Sequence, residues 1–356
     1  MAATPIQPAQ IMPTQERLLA AFSDGRYGPL LRELFKIEAE TAPSPLTSRL
    51  LQRERVSVET EAICLLAQLS QDTLRHLLRN TYPQAHANAS VGSLRDPYEF
   101  TGTLDPGVYL QQLVGADGLG ISTALHEVFL SWLETTMTLS SPSEVGHTLS
   151  VNECRDAIDK AYRDVIATDD LQASFFATLN QQELDVLQTN VRRYIRSQRT
   201  VHAQAKAQDV NHISIHAEIG LAKNLWDRCG QHKRLASSSP PLLRLVHLVL
   251  RAAFPDRDFR MLQVVLFHAT RISDLETGAS LGALLCASYL RSGGINTIQA
   301  GQGVGTSGSI TGDEWEEMLN RLVDNRLLRF VNPNLEQDII TTTRLRGIEE
   351  VRLPLS

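Results

Sequence analysis

The sequence has few cysteines, few aromatic residues and no long uninterrupted hydrophobic run. Its 356 residues include four cysteines, and the aromatic share is 6%. Four cysteines scattered far apart do not make a disulfide framework, so we expect reduced, buried thiols in an intracellular protein. Basic side chains interrupt the most apolar stretch, 242–254, and no stretch approaches the ~18 apolar residues of a membrane span. We therefore expect no membrane partner.

A large excess of one charge is also missing. The chain has 34 Lys and Arg against 40 Asp and Glu, a formal net charge of -6, and only five of the basic residues are lysines. This balance excludes a histone-like polycation. The hydrophobic share of 42% is ordinary for a chain that buries a core. At ~150 residues per domain, the length predicts two domains or one large helical domain.

Helical periodicity dominates the chain, whereas strand-like runs are almost absent before residue 295. Ser150 and Glu153 have the S/T-x-x-E spacing of a helix-capping box, and Thr311 with Glu314 repeats it. We therefore predict an all-α fold with a multi-helix N-terminal body. Apolar spacing predicts helices at 14–38, 49–55, 57–80, 108–114, 121–138, 150–168, 171–178, 180–207, 213–229, 242–254, 258–273 and 279–292.

Proline, serine and glycine divide the chain into segments. Residues 1–13 contain three prolines and predict a flexible tail. The Ser-Ser-Ser-Pro-Pro stretch at 237–241 predicts a boundary between a helical domain, 14–236, and a second domain, 242–356. The second domain carries a glycine-rich insertion at 293–312. The longest irregular segment is 81–107, a length typical of functional or mobile connections, and whether it orders on binding stays open.

The C-terminal residues follow the order helix, helix, helix, strand, turn, strand. The segment RLVDNRLLRF at 321–330, followed by EEVRLPL at 349–355, resembles the winged-helix tails of subunits of replication-origin-recognition and licensing complexes. The resemblance implies a C-terminal winged-helix-like module. Those complexes contain ATPase-related subunits, but this chain has no G-x-x-x-x-G-K-[ST] phosphate loop, so we expect no nucleotide hydrolysis.

The third helix of this module is acidic. In winged helices that read DNA, that helix enters the major groove, where carboxylates are repelled by phosphate. We therefore expect the module to dock on protein, with only a weaker backbone contact from the arginines of its wing. The acidic residues are Asp313, Glu314, Glu316, Glu317 and Asp324, the opposing cations are Arg321 and Arg326, and the wing carries Arg344, Arg346 and Arg352.

The most informative feature is a change of charge in the middle of the chain. Residues 141–180 carry three basic and seven acidic residues, a local charge of -4, whereas 181–240 carry nine basic and five acidic residues, a local +4. Arginine suits phosphate because it is always charged and offers forked donors. Pairing with acidic helices such as 153–170 and plain solvated surface remain alternatives. The predicted nucleic-acid-binding residues are Arg192, Arg193, Arg196, Arg199, Lys206, Lys233 and Arg234.

Other chemical motifs are weak. His212 and His216 are four residues apart, and Cys229 and His232 follow, so these side chains could provide mixed nitrogen and sulfur ligands for zinc. We interpret them as surface histidines and one buried thiol, and whether they bind metal stays open. The run Gly303-x-Gly305-x-x-Gly308 lacks the strand–helix context of a dinucleotide site and is interpreted as a loop. We expect no cofactor.

We therefore predict a non-enzymatic subunit or scaffold of an intracellular, nuclear, nucleic-acid-associated assembly. On the predicted helix 180–207, helical spacing places Arg192, Arg196, Arg199 and Lys206 in one basic stripe. The predicted partners are other protein subunits, and DNA or RNA through this stripe at 192–206. We identify no small-molecule substrate. The alternative is a viral nucleocapsid-type or structural helical protein that self-assembles and binds RNA. An enzyme of unrecognised type is a third possibility. The identity of the partners and the oligomeric state stay open.

Overall fold

A computed structural model describes residues 5–41, 55–88, 106–137, 150–168, 170–236, 238–269 and 272–297. Within these ranges most residues are helical and a few form strands. The α-helices are α1 (Pro13–Ala21), α2 (Tyr27–Thr41), α3 (Arg55–Leu66), α4 (Gln71–Leu78), α5 (Tyr82–Asn88), α6 (Thr123–Thr136), α7 (Val151–Ile166), α8 (Gln181–Ala207), α9 (Leu225–Lys233), α10 (Pro241–Ala253) and α11 (Ile272–Leu285). The strands are β1 (Gly107–Val114), β2 (Ile121–Ser122), β3 (His212–Ile213), β4 (Ile215–Ala222) and β5 (Arg260–His268).

The three long strands form an antiparallel sheet in the order β4-β1-β5. Strand β1 is central, and its Gln111 lies opposite Glu218 of β4 and Gln263 of β5. The short strands β2 and β3 pair with each other and connect the beginning of α6 to the end of α8. The sheet therefore joins segments that are far apart in the sequence.

The two faces of the sheet are covered by different elements. Val108 and Leu110 belong to a hydrophobic cluster that includes α1 to α4 and α11. On the opposite face, Tyr109 and Val265 pack against α9. A separate, larger cluster unites α6, α7, α8 and α10. Helix α9 is thus held by the sheet, whereas α8 is held by neighbouring helices.

The capping boxes that begin the long helices are present. The Ser150 side chain accepts a hydrogen bond from the Glu153 N–H, and Glu153 accepts one from the Ser150 N–H, as the sequence predicted for the start of α7. Asn180 and Glu183 form the same arrangement at the start of α8. Each cap satisfies backbone donors that lack partners within the helix. Helix α8 has 27 residues, a length of about 40 Å at ~1.5 Å per residue.

The prediction of an all-α fold was wrong, because the protein is mostly helical but contains a sheet. Three segments predicted as helical, 108–114, 258–273 and the first part of 213–229, contain strands β1, β5 and β4. All eight positions of β1 are buried. Because both faces of the strand are buried, its apolar and polar residues do not alternate, and sequence periodicity cannot distinguish it from a buried helix. The fold is therefore α+β.

The predicted N-terminal tail, 1–13, includes residues that pack on the fold. Gln10 is fully buried, and its side-chain amide forms hydrogen bonds with both the N–H and the carbonyl of Ser214. The Ser214 N–H donates to Gln10 Oε1 at 2.9 Å, and Gln10 Nε2 donates to the Ser214 carbonyl at 3.4 Å. These bonds tie the segment before α1 to the loop between β3 and β4.

The predicted winged-helix module is described only up to residue 297. Thr311 with Glu314, the acidic third helix, the wing and most of the insertion 293–312 lie outside the described residues. Of the segments assigned to its beginning, 258–273 contains β5, which pairs with β1. Among the helices that the structure describes, none is long and apolar enough to cross a membrane.

Candidate nucleic-acid interface

Helix α8 is fixed by one buried face. Leu187, Val191 and Tyr194 are at most 1% exposed, and they belong to the cluster shared with α6, α7 and α10. Tyr194 also meets Phe129 of α6 edge to face, with ring centroids 6.5 Å apart. Because the buried face is held in this way, the opposite face of α8 has a defined direction toward solvent.

Three of the predicted arginines lie on that exposed face. Arg192, Arg193 and Arg196 are exposed, and none of them forms a salt bridge with a carboxylate in the described part of the chain. Their Cα atoms span about 6 Å along the helix axis at ~1.5 Å per residue. We call these three residues the α8 arginine patch.

The two basic residues nearer the end of α8 are paired instead. Arg199 Nη2 forms a short ion pair with Glu134 Oε1, and Lys206 Nζ lies 3.0 Å from Glu127 Oε1, both on α6. The hydrogen bond from Lys206 is the main cause that lowers the pKa of Glu127. Intramolecular pairing, one of the alternatives for the stripe, thus holds for these two residues. Their partner helix is α6 and not the acidic segment 153–170.

A pair of histidines stacks beside these ion pairs. The rings of His126 and His202 lie 5.3 Å apart and 8° from parallel. His126 Nε2 is 2.8 Å from Gln198 Oε1, and His202 Nε2 is 2.9 Å from Glu127 Oε1. Burial lowers the pKa of His126 to about 4 and is also the main cause that lowers the pKa of His202. The interface between α6 and α8 therefore holds neutral imidazole at physiological pH.

Lys233 and Arg234, the remaining predicted residues, are exposed at the end of α9. Helix α9 is attached to the sheet by its other side. Tyr109 Oη is 3.0 Å from His232 Nε2, and Gln263 Nε2 donates to the Cys229 carbonyl at 2.9 Å. The two predicted groups of cations therefore lie on helices that pack against different clusters.

Sequence reasoning missed Trp226, which lies on α9 and is 53% exposed. The signal was present, because Trp226 precedes Lys233 by seven residues, and residues with this spacing share one face of a helix. A tryptophan on the charged face of a helix is unusual, since large aromatic side chains are normally mostly buried.

A buried polar row lies beneath α9. Glu218, Gln111 and Gln263 face one another across the three strands, and both amide atoms of Gln111 have no hydrogen-bond partner among the described residues. Burial raises the pKa of Glu218 to about 7, and the nearby positive charge of Arg228 partly offsets this rise. The carboxyl group is therefore poised to change charge within the core.

The possible zinc ligands do not share one helix. His212 lies on β3 and His216 on β4, whereas Cys229 and His232 lie on α9. Among the described residues, no group of three or more His, Cys, Asp or Glu side chains could hold a metal ion. Burial raises the pKa of Cys229 to about 12, so this side chain is a neutral thiol.

No family model, curated protein or solved structure matches this chain. The winged-helix resemblance therefore stays a prediction from the sequence.

Proposed function

We propose that this protein is a non-enzymatic subunit of a nucleic-acid-associated assembly, and that the α8 arginine patch binds the phosphate backbone. The observation that supports this proposal is the contrast along one helix. Arg199 and Lys206 are neutralised by carboxylates of α6, while Arg192, Arg193 and Arg196 are exposed without such partners in the described part of the chain.

The electrostatics of α8 favour an anionic ligand at this patch. Three guanidinium groups within two helical turns repel one another, and an anion between them relieves that repulsion. Within α8 itself, the nearest carboxylate on the same face is Asp185, about 10 Å before Arg192 along the axis at ~1.5 Å per residue, and Glu134 of α6 is already paired with Arg199. That distance is about one Debye length at moderate salt, so Asp185 cancels little of the local field.

The test reverses the charge of the patch. A variant combining Arg192→Glu, Arg193→Glu and Arg196→Glu is compared with wild type by fluorescence anisotropy. The probes are labelled single-stranded RNA and duplex DNA. The matched control makes the same change in net charge at three exposed, scattered arginines, with substitutions Arg32→Glu, Arg79→Glu and Arg257→Glu.

Each phosphate contact removed lowers the slope of log affinity against log salt by ~0.7 for a single strand. We therefore expect the patch variant to lose a slope of about 2 and to bind at least tenfold more weakly, while the control stays much closer to wild type. Equal weakening in both variants indicates only a general charge effect. That result, or the absence of any binding by wild type, contradicts the proposal.

The self-assembling, RNA-binding structural protein is the alternative from the sequence. Sedimentation of the purified protein, with and without RNA, separates the two. A stable small species without RNA favours the subunit, and large regular assemblies favour the structural protein.

A further inference from the structure

The segment before α1 is bound to the rest of the fold through its main chain. Residues 5–12 form neither helix nor strand. Gln84 of α5 accepts from the Gln7 N–H at 2.7 Å and donates to the Gln7 carbonyl at 3.1 Å. Gln208, directly after α8, binds the N–H and the carbonyl of Ile11 in the same way, with both distances 2.9 Å. Each amide thus makes the pair of bonds that a residue on a neighbouring β-strand would make.

A third contact lies between these two. Asn80 Nδ2 donates to the Gln10 carbonyl at 2.8 Å, and the Gln10 side chain forms its two bonds to Ser214. Ser214 is itself held in place, because Gln112 of β1 donates to its hydroxyl. Gln10 is fully buried, and Met12 is 6% exposed. We call the surface formed by Asn80, Gln84, Gln208 and Ser214 the amide groove.

The amide groove is suited to an extended, uncharged peptide. Five of its hydrogen bonds go to main-chain atoms of the segment, and the buried Gln10 side chain adds a contact that depends on the residue type. This is the general division in extended-peptide recognition, where main-chain bonds give affinity and side-chain pockets give specificity. Residues 5–12 contain no charged side chain, so salt should affect these contacts little.

Prolines keep the segment extended before it docks. Pro8 disfavours a helical conformation at Gln7, and Pro13, the first residue of α1, does the same at Met12. Met12 accordingly has an extended backbone, with φ -79° and ψ 152°. A peptide that is already extended loses less conformational entropy on binding than a fully flexible one.

The groove and the segment are far apart in the sequence. Gln84 and Gln7 are separated by 77 residues, and Gln208 and Ile11 by 197 residues. None of these bonds requires both partners to belong to one chain, so the same segment of another copy could make the same contacts. Residues 5–8 are exposed, so the segment can leave the groove from that end.

Helix α1 has its own attachment to the fold. Gln15 Nε2 donates to Asn80 Oδ1 at 2.9 Å, and Leu18 is fully buried in the cluster that also contains residues of α2 to α4. Release of the segment therefore leaves α1 in place. The change of chain direction is confined to the few residues before Pro13.

We propose that the amide groove is an exchange site, in which residues 5–12 of one copy dock on a second copy. The segment in its own groove is the closed form of the single chain. Both forms contain the same contacts, so closure within one chain dominates in dilute protein and exchange dominates where copies are held close together. This inference goes beyond the proposed function and does not depend on it, because no nucleic acid takes part.

The first test measures binding of a labelled peptide of residues 1–12 by fluorescence anisotropy. A vacated variant of the full chain combines two substitutions. Gln10→Ala removes both bonds to Ser214, and Ile11→Pro removes the N–H that donates to Gln208, whereas the peptide keeps the native residues. We expect the peptide to bind this variant at least about tenfold more tightly than wild type, whose own segment competes at an effective concentration of order millimolar.

Substitutions in the groove test whether the amides are responsible. Adding Gln84→Ala and Gln208→Ala to the vacated variant removes four bonds to the peptide main chain and should weaken peptide binding by at least about tenfold. The matched control adds Gln172→Ala and Gln182→Ala, at two exposed glutamines, and should leave the affinity unchanged. If circular dichroism shows that the vacated variant is unfolded, Gln10→Ala alone replaces it and should still bind the peptide more tightly than wild type.

The second test uses two full chains. The vacated variant, with an intact groove, is mixed with a chain that carries only Gln84→Ala and Gln208→Ala and has an intact segment. Sedimentation should show a larger species in the mixture than in either sample alone, because the segment of one chain fills the groove of the other. The control mixture, in which the second chain also carries Gln10→Ala and Ile11→Pro, should not form this species.

Two results overturn the inference. Equal affinity of the peptide for wild type and the vacated variant means that the segment is not an exchangeable occupant of the groove. Peptide binding without pairing of the mixed chains means that the groove accepts a peptide but not a second copy. Neither result affects the α8 arginine patch, whose test measures affinity for nucleic acid.

Discussion

Replacing the buried carboxyl group beneath α9 should stabilise the protein at alkaline pH. Glu218 is 6% exposed, and burial raises its pKa from the ordinary value of 4.5 to about 7. Between these two values the folded protein retains a proton that the unfolded chain releases. Stability from this group is therefore complete below about pH 4.5 and is lost as the pH rises through about 7. Glu218→Gln keeps a similar shape and cannot ionise.

The magnitude follows from the difference between the two pKa values. Each pKa unit corresponds to ~1.36 kcal/mol, so ionisation of Glu218 destabilises the fold by roughly 3 kcal/mol above pH 8. Solvent screens this carboxyl group little, because it is enclosed by the sheet and α9. The positive charge of Arg228 acts on Glu218 and lowers its pKa. A movement of the Arg228 side chain toward the ionised carboxylate would therefore make the destabilisation smaller.

Urea unfolding at about pH 5 and about pH 8, followed by circular dichroism, measures this effect. We expect Glu218→Gln to be clearly more stable than wild type at the higher pH and to differ much less at the lower pH. Asp164→Asn, at an exposed carboxylate of α7, is the control and should produce no such pH-dependent difference. An identical pH dependence in wild type and Glu218→Gln would refute the argument that burial holds this proton.

Three further results are expected. The pKa of His126 falls from 6.5 to about 4, so its contribution to stability is lost as the pH drops below 6.5. His126→Gln should therefore reduce the loss of unfolding free energy at acid pH by roughly 3 kcal/mol, measured by urea unfolding at a series of pH values. Gly220→Ala places a Cβ 2.2 Å from the Tyr109 ring and should cost ~1–3 kcal/mol in thermal unfolding, whereas Gly28→Ala, with only a contact at 3.8 Å, should stabilise α2 by about 0.5–1 kcal/mol. Cys64 is exposed and the other three cysteines are buried, so a thiol reagent should modify one cysteine quickly and three after denaturation.

Local rules in the sequence were sufficient for many helices. The helical segment predicted at 14–38 contains the turn signal Asp24-Gly25, and this turn separates α1 from α2. The capping box at Ser150 begins α7. These features depend on residues a few positions apart, and no distant contact is needed to interpret them. The same holds for the exposed face of α8, because the buried positions of a long helix fix which arginines point outward.

The sheet could not be predicted in the same way, because its strands are identified by distant partners. Strand β1 is buried on both faces, so its apolar residues do not alternate with polar ones. Its neighbours β4 and β5 come from segments more than 100 residues later. The zinc alternative for His212 and His216 would need both side chains on one face of a helix, which the spacing of four residues gives. Because the two residues lie on strands, that geometry is not present.

Contacts between segments far apart in the sequence also decide which basic residues are paired and which are not. Spacing placed Arg192, Arg196, Arg199 and Lys206 in one stripe, yet the last two are neutralised by Glu134 and Glu127 of α6. Which cations stay free depends on how α6 packs beside α8, a contact set by apolar residues on the other side of both helices. A count of charge along the chain therefore overstates the binding surface on α8.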